Sequence, residues 1–547
     1  MELTYDLLIK NGRVLDGAGN HWYRGDVAVS EGRIAAVGAL VGAEADRVID
    51  AGGLVVAPGF VDAHSHADSV TLVYPQMEST VMQGITTVVA GQCGSSLAPV
   101  SPELREELER RAADSLPPEA ELKITWTTFD EYLREEERRG LGANVAHLVG
   151  HGAIRTAAMG FDARDPTDEE LERMRELTAE AMEAGAFGLS TGLIYPPGIF
   201  AKTGEIIELA RVAARYGGVY DSHIRGEGRT LLRAVGEAIA IGERAGLPVQ
   251  ISHHKAAARE MWGKSEETLR MMEEARGRGV DVTLDQYPYR AGATGLVSLL
   301  PPWAHDGGVQ RLLERLRDPE QRERMRRDIE EGLPDWQNFA GEAGWENVYV
   351  TYVKTEANRA AEGRNLSEIR EMRGDPDEFT SLYRLLLEEE GAAGMIIFMM
   401  EEDDIRRIMR HPLHMVGTDA GSVAPTGIMS RGKPHPRHYG TYPKILGRYV
   451  REQGVLRLEE AVRKMTSLPA QRFGLLDRGL LRPGMRADIV VFNPDTIIDK
   501  ATFQDPHRFP EGIEHVVVNG QVTVDEGEYT EALAGRTLRK RGAAPTL

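Results

Sequence analysis

Between residues 59 and 475 the chain repeats one rhythm: a short apolar run, a polar glycine-bearing turn, then apolar residues spaced three and four apart. The apolar runs read as strands: "LVVAPGFVDAHSH", "ITTVVAGQC", "NVAHLVGHG", "AFGLSTGL", "GGVYDSH", "LPVQISHHK", "VDVTLDQYPY" and "HMVGTDA". Between them lie amphipathic segments such as "DEELERMRELTAEAMEAG" and "EGRTLLRAVGEAIAIGERAG", each closed by a glycine as helix C-termini often are. Strand–helix alternation implies parallel pairing, and eight units close a barrel. The pattern therefore predicts an α/β fold, a (β/α)8 TIM-like barrel over 59–477, with a doubly wound open sheet as the rival.

The ends have another texture. Residues 1–58 ("YDLLIKNGRVLDG", "RGDVAVSEGRIAAVG") and 478–547 ("GMRADIVVFNP", "IEHVVVNGQVTVDEG") read as short strands and turns. Isolated hairpins are marginal in water, so both ends are expected to assemble one small β-sandwich attached to the barrel. The stretch from about 302 to 410 is too long for a loop between the seventh and eighth strands. Its charged, helical pattern ("QRLLERLRDPEQRERMRRDIEEG", "EEDDIRRIMRH") predicts an inserted subdomain, a candidate lid.

Composition narrows the function. A net charge of −20 argues against nucleic acid, whose phosphates need clustered positive charge. No apolar run has the length to cross a bilayer, and the amino terminus lacks the basic and apolar regions of a signal peptide. A single cysteine, Cys93, fits a reducing cytoplasm. A small molecule is the expected partner, and oligomeric state is not legible.

In a barrel of this kind the active site forms where strands end. The first strand ends in His64 and His66, two residues apart and so on one side. The second ends in Cys93, the fifth in His223, the sixth in His253 and the eighth in Asp419. Imidazole, thiolate and carboxylate are the ligands zinc prefers, and one such residue at strand end after strand end points to a metal site. His151 stays open between ligand and structural roles, and His254, next to His253, should point away.

The motifs "PGFVDAHSHAD", "GITTVVAGQCGSS", "GLSTGLIYPPG", "SHIRGEG", "ISHHKA", "DQYPYRAG", "GTDAG", "HPRHYGTYPKILGRYVRE" and "MTSLPAQRFGL" span nearly the whole chain. By them the sequence resembles the N-acyl-D-amino-acid deacylases (D-aminoacylases) of the amidohydrolase superfamily. The resemblance implies one tightly held zinc on Cys93, His223 and His253, with His64 and His66 at a second, weaker site. Related hydrolases often bridge two metals with a carboxylated lysine of the fourth strand. "AFGLSTGL" has no lysine, which leaves Cys93 as the available anion. The resemblance also implies that Asp419 moves the proton from water to the leaving amine, and that Lys255, Tyr195, Tyr287 and Arg437 hold the substrate carboxylate.

The implied reaction is zinc-dependent hydrolysis of N-acyl-D-amino acids. The resemblance implies an additional arginine shortly after the "YPY" strand in members that take acidic D-amino acids; here that stretch, "AGATGLVSLLPPW", is apolar with Arg290 its only nearby cation, so neutral or hydrophobic side chains are expected. The alternatives are a cyclic-amide hydrolase of dihydroorotase or hydantoinase type, a D-specific or isoaspartyl-type dipeptidase on the same scaffold, and a metal-bearing scaffold without catalysis.

Overall fold

The computed structural model describes residues 4–113, 116, 117 and 119–540. Eight parallel strands form a barrel: Phe60–Asp62, Ile85–Ala90, Asn144–His147, Gly188–Gly192, Val219–His223, Val249–Ile251, Val282–Gln286 and His414–Val416. The third strand is interrupted at Leu148, and its continuation Val149–Gly150 pairs with the fourth. The eighth meets the first through Ala63 N to Val416 O (3.2 Å) and His66 N to Ala420 O (3.0 Å), so the sheet closes and the open doubly wound arrangement is excluded.

Local chemistry explains the helices. Asp168–Ala184 begins at a capping box in which Thr167 Oγ1 accepts from Glu170 N and the Glu170 carboxylate accepts from Thr167 N. Such a cap contributes about 1 kcal/mol. The helix ends at Gly185, whose φ of 113° suits glycine. Leu231–Ala245 ends the same way at Gly246.

Strands from both termini join in one nine-stranded sheet, Val55–Pro58 pairing antiparallel with Ile489–Phe492. Val56, Ile489 and Val491 share a core with Leu7, Ile9, Val27 and Ile34 of the amino-terminal strands. The alternate residues Val55, Ala57, Val490 and Phe492 face the barrel side, packed with Phe60 and Tyr442. With both faces buried, these strands are apolar at every position, not at every second one. Phe60 stacks on Tyr442 (centroids 5.3 Å apart) where the two bodies meet. Truncating it to alanine would cost about 3–5 kcal/mol.

Three details differ from the sequence expectation. The run 54–66 is two elements, since Val55–Pro58 lies in the terminal sheet and only Phe60–Asp62 in the barrel. The carboxy-terminal segment leaves the terminal sheet: Thr537–Leu538 pairs in parallel with Asn144–His147, and Lys540 N reaches Gly185 O at 2.9 Å, filling a gap between the third and fourth strands.

The insertion also starts earlier and ends sooner than 302–410. It opens with Ala291–Gly295, which forms an antiparallel sheet with Ala393–Phe398 and Val348–Val353. Helix Glu402–Arg410 instead packs on the barrel, against Ser265–Gly277 and His414–Val416. The insertion's apolar core reaches Tyr287, Tyr289 and Ile194, which sets it over the mouth of the barrel.

Candidate active site

Cys93 stands one turn beyond the second strand. Its Sγ lies 3.4 Å from His64 Nε2, 3.4 Å from His253 Nε2 and 3.7 Å from His223 Nδ1. Donors about 2.0–2.3 Å from a tetrahedral zinc lie roughly 3.3–3.8 Å apart, so the cage has the size and the donor types that zinc takes. Two donor groups share the sulfur: Cys93, His223 and His253, and His64, His66, Cys93 and Asp419, each spanning no more than 4.8 Å.

Backbone strain collects at these positions. Cys93, His253 and Asp419 are non-glycine residues with positive φ (53°, 32° and 52°). Such conformations cost about 1–3 kcal/mol each and persist where the surroundings over-determine them. Here they turn the side chains inward after the strands have ended. The Cys93 loop also lies directly on the fourth strand: a Cβ on Gly192 would fall 2.1 Å from Cys93 O. A side chain at Gly192 has no room.

Burial alone would push the Cys93 thiol up, but the His64 and His253 charges, with hydrogen bonds from His223 and His253, hold it well below its ordinary value. His66 is drawn down by burial and raised overall, to about 9, by Asp419 and Cys93. Burial would likewise raise Asp419, yet Arg437, His253, His66 and His64 keep it well below the usual carboxylate range. Asp419 Oδ1 is 3.0 Å from His66 Nε2 and 3.6 Å from His64 Nε2. Its Oδ2 accepts from Arg437 Nη1 at 2.7 Å.

The remaining predicted residues gather around the same floor. Nine of the ten line one cavity of about 570 Å³, and the tenth, His64, lies fully buried beneath it. Lys255 donates to Glu227 and sits 2.8 Å from His253 Nδ1. The Tyr287 ring has Arg437 at 4.8 Å and Lys255 at 5.7 Å. Tyr195 takes a hydrogen bond from Thr294 Oγ1 at 3.1 Å, and its ring meets His223 edge-on. His254 does point away, to Thr268 Oγ1 at 2.8 Å, and His151 is engaged by Glu205 at 2.8 Å.

Sequence reading missed the residues behind the donors. Glu227 Oε1 lies 3.0 Å from His253 Nδ1, and Glu227 Oε2 lies 4.0 Å from His223 Nε2, so one carboxylate backs both imidazoles. Burial would raise Glu227, but Lys255, His223 and His253 hold it far below the carboxylate norm. Its signal was in "SHIRGEG", four residues after His223. Asp285 accepts from His253 N at 2.8 Å and stands 3.5 Å from His64 Nδ1. Asp62 takes Thr418 N at 2.8 Å and Thr418 Oγ1 at 2.6 Å, tying the first strand to the eighth.

Comparison with known proteins agrees with this geometry. The model of a family described as "Amidohydrolase family" matches residues 47–524. An N-acyl-D-glutamate deacylase of Alcaligenes xylosoxydans xylosoxydans is 39% identical, over 99% of this chain and 98% of its own length. A D-aminoacylase of the same organism is 38% identical over 98% of both chains. Among solved structures, N-acyl-D-glutamate deacylase from Bordetella bronchiseptica, complexed with zinc and a phosphonate mimic of the tetrahedral intermediate, superposes with a TM-score of 0.81 at 36% identity, covering 98% of this chain and 100% of that one.

Proposed function

The chain belongs to the amidohydrolase family, on its N-acyl-D-amino-acid deacylase branch, and from that premise we propose that it is a zinc-dependent hydrolase that splits N-acyl-D-amino acids into a carboxylate and a free D-amino acid. The observation that carries this reading is the position of Asp419, whose one carboxylate borders both the imidazole–thiolate cage and the cation Arg437. A linear substrate with an amide carbonyl at the cage and an α-carboxylate at a cationic wall fits that juxtaposition.

Cys93, His223 and His253 would hold the tighter zinc, and His64 and His66, with Cys93 and Asp419 beside them, the weaker one. Bound zinc supplies Lewis-acid polarisation of the amide carbonyl and acidifies water. Asp419 takes the proton of the attacking water and hands it to the departing amine nitrogen. Arg437, Lys255, Tyr195 and Tyr287 hold the α-carboxylate, the guanidinium being shaped to bind it in a fork. Glu227 keeps the imidazoles of His223 and His253 turned toward the cage, a role that outer carboxylates commonly take.

The D-configuration rests on the relatives, an N-acyl-D-glutamate deacylase and a D-aminoacylase. Neutral or hydrophobic side chains are favoured because the cavity's lysine and arginine side chains, among the described residues, are Arg111, Lys255 and Arg437, two of them committed to the α-carboxylate. Arg290 lies outside the cavity, donating to Met400 O at 3.5 Å. A cyclic-amide hydrolase with a bridging lysine is disfavoured by the fourth strand, Gly188–Gly192, which has none. No helix among the described residues is long and apolar enough to cross a membrane, and the single cysteine suits a reducing cytoplasm.

The test is a panel of N-acetyl D- and L-amino acids scored for amine release. Release from D-methionine, D-leucine and D-phenylalanine derivatives, with the L-forms inert, is expected. Hydrolysis confined to L-forms or cyclic amides would overturn the reading, and N-acetyl-D-glutamate outpacing N-acetyl-D-methionine would overturn the side-chain preference.

A further inference from the structure

The cavity is larger than an N-acetyl amino acid. N-acetylmethionine has about 12 non-hydrogen atoms; at no more than roughly 30 Å³ each, the share of a water molecule, it fills at most about 360 Å³. The cavity measures about 570 Å³. Much of the lining that the site residues leave over is apolar, and one group of it gathers beside the second and third strands, where Gly307 N of the insertion meets Phe161 O. Past Cys93 the cavity wall is built by Leu97, Leu108 and Ile124 of the segment after the second strand, by Phe161 after the third, and by Val309 and Leu312 of the insertion. Ile124, Phe161 and Leu312 are buried in the hydrophobic cores behind this wall. The nearby cation, Arg111, is exposed and lies over the Phe161 ring at 4.6 Å, at the rim.

Topology tells which arm of the substrate meets this wall. In a barrel of eight strands the second and third stand across the axis from the sixth and seventh, which carry Lys255 and Tyr287 at their ends. A substrate whose α-carboxylate is held by Lys255 and Tyr287 at the sixth and seventh strands, with Tyr195 after the fourth and Arg437 after the eighth on its flanks and its amide carbonyl at Cys93, His223 and His253, sends its acyl arm toward the second and third. The amino-acid side chain leaves from the same carbon as the carboxylate and stays on the other side.

We infer that the apolar extension is an acyl-chain subsite, and that the substrates of this protein are N-acyl-D-amino acids with medium-length aliphatic acyl groups, of about six to ten carbons. The inference rests on the deacylase reading above and narrows its substrate class. A buried methylene is worth roughly a fourfold gain in binding, so the gain accumulates until the extension is full.

The experiment measures kcat/KM for N-acyl-D-methionines from acetyl to dodecanoyl. A rise of roughly two- to fourfold per methylene as far as octanoyl, then a plateau, is expected. A flat or falling series overturns the subsite. Leu108→Trp and, separately, Val309→Trp fill it from opposite sides and should cut the octanoyl-to-acetyl ratio at least tenfold. Because the reading is a ratio within one preparation, partial misfolding does not mimic it, and an unchanged ratio in both variants overturns the assignment. Calorimetric titration of the acetyl and octanoyl compounds into Asp419→Asn protein reads the preference without turnover. Tighter octanoyl binding with no hydrolysis by the unaltered enzyme would sink the deacylase reading and keep the subsite, whereas equal affinities would sink the subsite.

Discussion

Arg437 donates from Nη1 to Asp419 Oδ2 at 2.7 Å, while the other oxygen of that carboxylate, Oδ1, lies 3.0 Å from His66 Nε2. The residue proposed to move the proton is thereby held ionised by a cation that also faces the substrate. Arg437 opens helix Arg437–Lys444, so the pair ties that helix to the loop that follows the eighth strand.

Asp419→Asn keeps the shape and removes the base. Turnover should fall by at least about a hundredfold, the low end of what a positioned general base contributes, with bound zinc unchanged. Steady-state rates alongside metal analysis check this, and substantial activity in the variant would contradict the assignment.

Arg437→Met removes the charge that offsets burial at Asp419. Burial alone raises the carboxyl, so the acid limb of the kcat profile should move to higher pH. The KM should rise about 10- to 100-fold through loss of a charged hydrogen bond to the substrate. An unmoved acid limb would show that Asp419 is not the group whose ionisation limits the rate.

Glu227→Gln keeps a hydrogen-bonding group behind His223 and His253 but removes its charge. Zinc affinity should drop about 10- to 100-fold, as it does when outer carboxylates are lost. Competition with a chromogenic chelator measures it. The same assay on Cys93→Ala should show a larger loss, because an anionic donor of the cage is gone.

Away from the cage, a buried carboxylate–imidazole pair lies at the third strand. His147 Nε2 is 3.0 Å from buried Glu136, and Thr537 of the carboxy-terminal segment donates to that carboxylate at 2.7 Å. Burial draws His147 down, yet Glu136 and Asp68 raise it overall to about 10. A folded-state value above the unfolded one stabilises below about pH 6.5 and is lost as pH climbs toward 10. The urea midpoint of the unaltered protein should therefore decline between about pH 7 and 10. In His147→Gln the decline should be shallower, and equal slopes would contradict it.

The barrel was legible because each strand carries its own punctuation. Apolar runs and glycine stops recur from strand to strand, and candidate metal donors follow the first, second, fifth, sixth and eighth. The candidate donors stood out in the sequence because metal chemistry allows few residue types, and the fold gathers them within 4.8 Å of one another. The three-stranded sheet of the insertion was not, although "VYVTYV" and "MIIF" are strand-like runs, because charged helical segments on either side dominate the local pattern. The pairing of Thr537–Leu538 with the third strand could not be read locally either, since it depends on a partner almost 400 residues away. Glu227 escaped because a lone glutamate in a glycine-rich loop looks solvated until the fold buries it against Lys255.

The most direct test of the account is a zinc titration of protein stripped with a chelator, following bound zinc and hydrolysis of N-acetyl-D-methionine in the same samples. Activity should be absent in the stripped protein and should rise in proportion to bound zinc, saturating at about one ion per chain. The same titration of Cys93→Ala should yield neither tight binding nor activity. Full activity in the stripped protein, or a Cys93→Ala protein that keeps both zinc and turnover, would contradict the account.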